Sequence, residues 1–184
     1  MNGSLLRTEG KPAPGDLVLV HGFLNTWSKE LGIEDFETAH STAQWLHSAG
    51  LWMAAEKLDS RDHQRIVQFR DSLRAWMMDE QGPQQQWLDI AAEISFRAAP
   101  APSGELRFDA LGSACDRALG ALVNLISESM RSGSWDRLKC CDLPTCGWAF
   151  YDATRSRTKR WCSMKTCGSR HKSREYYKRN QNRV

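Results

Sequence analysis

The sequence predicts an α+β fold: a mostly helical N-terminal domain with a short β-hairpin, followed by a small C-terminal unit organised by cysteines. Three observations predict it. Apolar residues recur at spacings of three and four through much of the first 130 residues, which is the helical period. The turn-rich stretch Pro100-Ala101-Pro102-Ser103-Gly104 separates two short runs of β-formers. The last third holds two cysteine pairs of identical internal spacing, Cys141–Cys146 and Cys162–Cys167, in its most basic part.

Each element follows from local signals. Residues 1–15 are polar, with Pro and Gly, and read as a loose terminus. Residues 17–27 (LVLVHGFLNTW) predict a strand or extended segment ending at Asn25-Thr26. A first helix spans about Asp35 to Ala49, with Phe36, Ala39, Ala43 and Leu46 on one face and Gly50 as its stop. A second spans about Ser60 to Asp79, with Ile66, Phe69, Leu73 and Trp76 inward, and Gly82-Pro83 breaks it. A third covers about Pro83 to Ala92, with Trp87, Leu88 and Ala91 inward. Residues 94–109 form the hairpin. A fourth helix spans about Leu111 to Met130, where Ala114, Ala118, Ala121, Leu122 and Leu125 share a face and Gly133 ends it.

The composition is 41% apolar and 26% charged, which excludes wholesale disorder. No apolar run approaches the ~20 residues that span a bilayer. Leu17–Val20 is too short for a secretory leader and follows Asp16. A cytoplasmic location is therefore expected, where thiols stay reduced. The net charge of +3 conceals a division. Residues 1–130 carry 11 Lys/Arg and 18 Asp/Glu, a net −7, whereas residues 131–184 carry 14 and 4, a net +10. Two units are expected, 16–132 and 135–182, joined by Ser132-Gly133-Ser134 and in contact because the junction is short.

The cysteine pairs read as two metal clips. Each brackets four residues, and fifteen residues separate the pairs. Four thiolates arranged this way suit a tetrahedral Zn²⁺, with no position left for water, so one structural ion is expected and a catalytic one is disfavoured. Pro144 favours a tight turn in the first clip, and Gly147 and Gly168 can take positive φ beside the metal. Trp148, Phe150, Tyr151 and Trp161 would pack around the ion. The alternatives are two disulfides or four unliganded thiols. Cys140 stands next to Cys141, but Cys141 keeps the clips symmetric; Cys140 and Cys115 read as small buried apolar residues.

The run from Arg137 to Arg174 resembles the CGNR zinc finger. Trp148, Phe150, Tyr151, Asp152, Arg160, Trp161, Gly168 and Arg170 match that family's pattern around the two clips. Ser169 stands where the family's name-giving Asn would be. Upstream, Phe23 to Trp27, Thr42 to Leu51 and the SGSWDRLKC junction are similar to the ABATE domain that precedes this finger in its family. The resemblance implies a stress-induced transcription regulator.

After Cys167 a basic helix is expected to about Asn180, with Ser169 as its N-cap. Arg170, Arg174 and Lys178 fall on one edge, and His171, Lys172 and Arg179 widen it; Arg155, Arg157, Lys159 and Arg160 make a basic loop between the clips. Together they form a candidate phosphate-binding surface for DNA, with Arg170 or Arg174 as base reader. At least one of Tyr176 and Tyr177 is expected to pack against the finger. The alternative is a cationic face that docks on the acidic N-terminal unit or binds another protein. His21, Asn25 and Thr26 could line a pocket for a small-molecule effector, although ordinary turn chemistry is the favoured reading of these residues. An enzyme using that pocket is a further alternative. No phosphate loop, nucleophile elbow or zinc-protease motif is present, so no reaction is expected.

Overall fold

A computed structural model describes residues 10–53, 56–78 and 85–181. The chain forms helices α1 (Leu17–Leu24), α2 (Ala39–Ser48), α3 (Ser60–Met77), α4 (Gln86–Ala92), α5 (Ala114–Arg131) and α6 (Ser169–Gln181). Strands β1 (Trp27–Ser28) and β2 (Ile33–Glu34), β3 (Phe96–Pro100) and β4 (Leu106–Ala110), and β5 (Leu138–Cys140) and β6 (Ala149–Tyr151) form three antiparallel pairs. The protein is mixed α and β and mostly helical, with the four cysteines gathered near its C-terminal end. Among the described residues no helix is long and apolar enough to cross a membrane.

One expectation fails. Residues 17–24 are a helix, not a strand. The segment is buried on most sides, with Leu17, Val20, His21, Gly22, Phe23 and Leu24 all inside. A helix buried all round shows no amphipathic period, so its short apolar run looks like a buried strand. The expected hairpin is present, with Phe96 opposite Ala110 and Pro100 opposite Leu106. α5 begins at a capping box in which Ser113 accepts from the Asp116 N–H and Asp116 reaches back to Ser113. The expected third helix starts within residues 83–84, which lie outside the described residues; its described part is α4.

The core is built around α1, which packs between α3 and α5. Phe23 is fully buried and sits 5.7 Å from Phe36, 5.9 Å from Trp45 and 6.1 Å from Phe69, ring centre to ring centre. The aromatic chain continues through Trp87 and Trp76 to Trp135, just past the Ser132–Ser134 junction. From there the core runs into the C-terminal hairpin. Leu138 and Cys140 of β5 and Ala149 of β6 belong to the large core, whereas Phe150 faces a second cluster around the cysteines. The period-two alternation of the strands thus lets one hairpin serve two cores.

Candidate metal centre and its basic frame

The first clip grows out of the β5–β6 hairpin. Cys141 N–H donates to the Trp148 carbonyl at 2.9 Å, extending the ladder by one residue. The turn then closes through Cys146 N–H to Leu143 O at 2.8 Å. Gly147 takes φ 59°, as expected, and leaves the clip in the left-handed region. The second clip is a π turn, Met164–Gly168, in which the Gly168 N–H reaches back five residues to Ser163 O at 3.0 Å. Gly168 itself is helical and not at positive φ. Its missing side chain serves another purpose: a Cβ there would stand 2.8 Å from the Met164 Sδ and 3.6 Å from the Trp161 ring. Asp142 N–H donates to the Arg160 carbonyl at 3.0 Å, and Arg160 Nε to the Asp142 carboxylate at 2.6 Å, so the clips face each other.

Cys141, Cys146, Cys162 and Cys167 are all buried, and their sulfurs lie within 4.8 Å of one another. The Cys146–Cys162 and Cys162–Cys167 sulfur distances are 3.8 and 3.6 Å. At the usual Zn–S length of about 2.3 Å, a tetrahedron sets sulfurs about 3.8 Å apart. None of the six cysteines forms a disulfide. With no ion between them, the sulfurs share protons unequally. Hydrogen bonds from Cys146 and Cys162 hold Cys141 down to about 2, and the resulting thiolate pushes Cys146 up to about 12. Cys162 is raised by Cys141 and Cys146. Several thiolates cannot share this volume without a divalent ion between them, and four sulfurs fill a tetrahedral Zn²⁺. Cys140 lies in the large core instead, and Cys115 is distant, its thiol pushed up to about 12 chiefly by burial.

The CGNR zinc finger family model matches residues 137–180. No curated protein matches the chain. The match and the sulfur cage together identify a zinc finger with one structural zinc. Within it, Trp148 and Phe150 are buried beside the cage, and Trp161 packs on its outside. Asp152, just after Tyr151, is fully buried and organises the loop to the second clip. Its carboxylate accepts from Thr154 N–H at 3.0 Å, Lys159 N–H at 2.9 Å and Lys139 Nζ at 3.0 Å. Burial opposes ionisation of Asp152, but these donors and the Thr154 hydroxyl hold its carboxyl well below the usual carboxylate range. Lys139 Nζ also holds the Arg157 carbonyl at 2.6 Å. Arg157 is the sole described non-glycine residue at positive φ, 55°.

The basic residues divide by surroundings. Arg155, Arg157, Lys172, Arg174, Lys178 and Arg179 are exposed. Lys159 lies over the Phe150 ring, 4.9 Å from its centre, and Arg160 pairs with Asp142. Arg170 forms an ion pair with Glu30 of the N-terminal unit. Ser169 is not an N-cap: it lies inside a continuous turn-to-helix run, and its hydroxyl donates to Met164 O at 3.2 Å. Ser163 caps the run instead. Tyr176 and Tyr177 are both exposed, contrary to the expectation that one packs inward; their rings meet each other, with centres 5.9 Å apart.

His21, Asn25 and Thr26 are engaged inside the protein, each bonded to backbone. All three are buried, and His21 and Asn25 clamp the finger onto α1. Asn25 donates to Ala149 O at 3.0 Å and accepts from Ala149 N–H at 2.9 Å. His21 Nε2 donates to the same carbonyl at 3.0 Å, and its Nδ1 accepts from Ala13 N–H at 3.4 Å, which fixes a neutral ring. Thr26 donates to Phe23 O at 2.7 Å, which is turn chemistry as the sequence favoured. A cavity of about 580 Å³ opens elsewhere, between Trp76, Trp135, Lys139, Arg157 and Arg160. Sequence reasoning missed Lys139 and Arg74, because a lysine in a strand and an arginine beside a helical stripe carry no local signal of a long-range role.

Proposed function

We propose that this protein is a DNA-binding transcription regulator whose zinc-ordered finger presents α6 and the Arg155–Arg160 loop to phosphates. One observation carries this reading: α6 buries no residue, yet it holds Arg170, Lys172, Arg174, Lys178 and Arg179 against the single acid Glu175. A helix of 13 residues that buries none of them and is this cationic is suited to a polyanion. Cys167 lies in the turn that opens α6, so the metal fixes where the helix starts. Because Arg170 is engaged by Glu30, the base-reading role passes to Arg174. The N-terminal unit, with its likeness to ABATE domains, would sense a signal or mediate assembly in the reducing cytoplasm, and the reading contains no catalytic step. The cavity at Trp76 and Arg157 is where a small effector would fit, rather than the buried His21 cluster.

Fluorescence anisotropy with duplex DNA at several salt concentrations tests this. Each phosphate contact contributes about −0.9 to the slope of log K against log salt. Arg174→Ala with Lys178→Ala should reduce the slope by about 2 while zinc content stays at one per chain. Absence of binding, or binding insensitive to salt, would favour a finger that serves as a docking module. The Arg170–Glu30 pair is the observation that favours that second reading.

A further inference from the structure

We propose that Arg74 of α3 is an outer-sphere member of the zinc centre: its buried guanidinium is the counter-charge to the metal-thiolate cage, so that metal loading locks the finger onto the N-terminal core. The proposal rests on the zinc identified above and is independent of DNA binding.

Arg74 is 5% exposed, and no carboxylate pairs with it among the described residues. Asp71, one turn back, is taken by Arg70 at 2.8 Å. The terminal nitrogens of Arg74 donate to the carbonyls of Gly147, Leu24 and Trp27. Its Nε is buried with no partner. Carbonyl dipoles supply partial charges only, and a buried cation requires a compensating anion nearby. The anion at hand is the cage. Gly147 directly follows the ligand Cys146, and Arg74 and Cys146 line one cavity of about 300 Å³ with Trp27 and Met78. One Zn²⁺ with four thiolates carries −2, an excess that a guanidinium lining the same cavity offsets in part. Burial lowers the Arg74 pKa and neighbouring Arg70 adds to this, while Cys140, Asp71 and Cys146 favour its charged form. Without the metal dianion Arg74 keeps only carbonyl dipoles and the half-exposed Asp71, which Arg70 already pairs, and the contact between α3 and the Gly147 turn should loosen, together with the end of α1.

Two measurements on the full-length protein test this. The first is zinc affinity by competition with a chromophoric chelator. Arg74→Met should bind zinc about 10- to 100-fold more weakly, as loss of an outer-sphere partner does. Arg74→Lys, which keeps the charge, should recover most of that loss. Leu73→Ala, which destabilises the same helix through packing, should stay within about threefold of wild type. Wild-type affinity in Arg74→Met, or an equal loss in Leu73→Ala, overturns the proposal. The second uses the wild-type protein and stays informative if the arginine variants fail to fold. Zinc removal should lower amide hydrogen-exchange protection at residues 24–27 and 73–78, outside the finger; unchanged protection there overturns the coupling. A purified protein with no stoichiometric zinc would refute the metal site itself, a different failure that metal analysis shows beforehand.

Discussion

The N-terminal core and the finger reach order by different physics. Around Phe23, rings from α1, α2, α3 and the loops between them fill space against one another. Around the sulfurs, the buried cluster has seven members, and four of them are the cysteines themselves. Apolar burial at roughly 25 cal/mol per Å² can hold the first. The second is too small to fold on packing and depends on metal. The two nonetheless share the β5–β6 hairpin, whose Leu138, Cys140 and Ala149 lie in the large core. The difference teaches where each part is vulnerable, and the shared hairpin shows where damage to one reaches the other.

The largest effect that separates the two regions is loss of a ligand. Cys162→Ser should abolish stoichiometric zinc and remove most of the roughly 10–16 kcal/mol that structural zinc supplies to small domains. Metal analysis and amide exchange check this: β6 and α6 should lose protection while α2 keeps its own. A finger that stays ordered without zinc would break the contrast.

A smaller effect runs the other way. Phe23→Ala should cost about 3–5 kcal/mol in urea unfolding, as emptying a buried aromatic site does. Zinc content of the folded protein should remain at one per chain. Loss of zinc in this variant would mean that the core, and not the cage, orders the finger.

The smallest effect sharpens the contact between them. Burial lowers the pKa of His21, partly opposed by its bond to Ala149. The unfolded chain therefore takes up this proton first, so the neutral clamp contributes fully above about pH 6.5 and its contribution falls as pH drops below that value. The slope can reach about 1.4 kcal/mol per pH unit for one group. Denaturation of wild type and His21→Gln from pH 7.5 down to 5.5 gives the difference. Equal slopes would show that His21 carries no buried neutral role.

What the sequence made legible follows from range. The clips were readable because metal ligands within a clip are local, and the spacing itself is the chemistry. α5 was readable because its apolar face is one-sided and Gly133 ends it, although it starts at the Ser113 cap and not at Leu111. α1 was not, because burial on most sides erases the period that distinguishes helix from strand. The roles of His21 and Asn25 were hidden because their partner, Ala149, lies 128 and 124 residues away. Arg74 meets Gly147 across 73 residues, and a polar side chain next to a helical stripe looks like any solvated neighbour. Ser169 shows a subtler limit: its type suits a cap, but the π turn before it had already placed the cap at Ser163.

That π turn has a consequence for how the basic helix is aimed. Each residue of an α-helix advances the azimuth by about 100°. A turn that closes five residues back holds one more residue than an α turn, so the direction of every later side chain is offset by about that angle relative to an ordinary helix start. The edge of Arg170, Arg174 and Lys178 therefore takes its heading from the sulfur-bearing turn. Deleting Thr166, an uncharged residue of that turn, would change the spacing of the second clip and the heading of that edge without removing a single charge. The composition of the surface would be unchanged, and its aim would be lost.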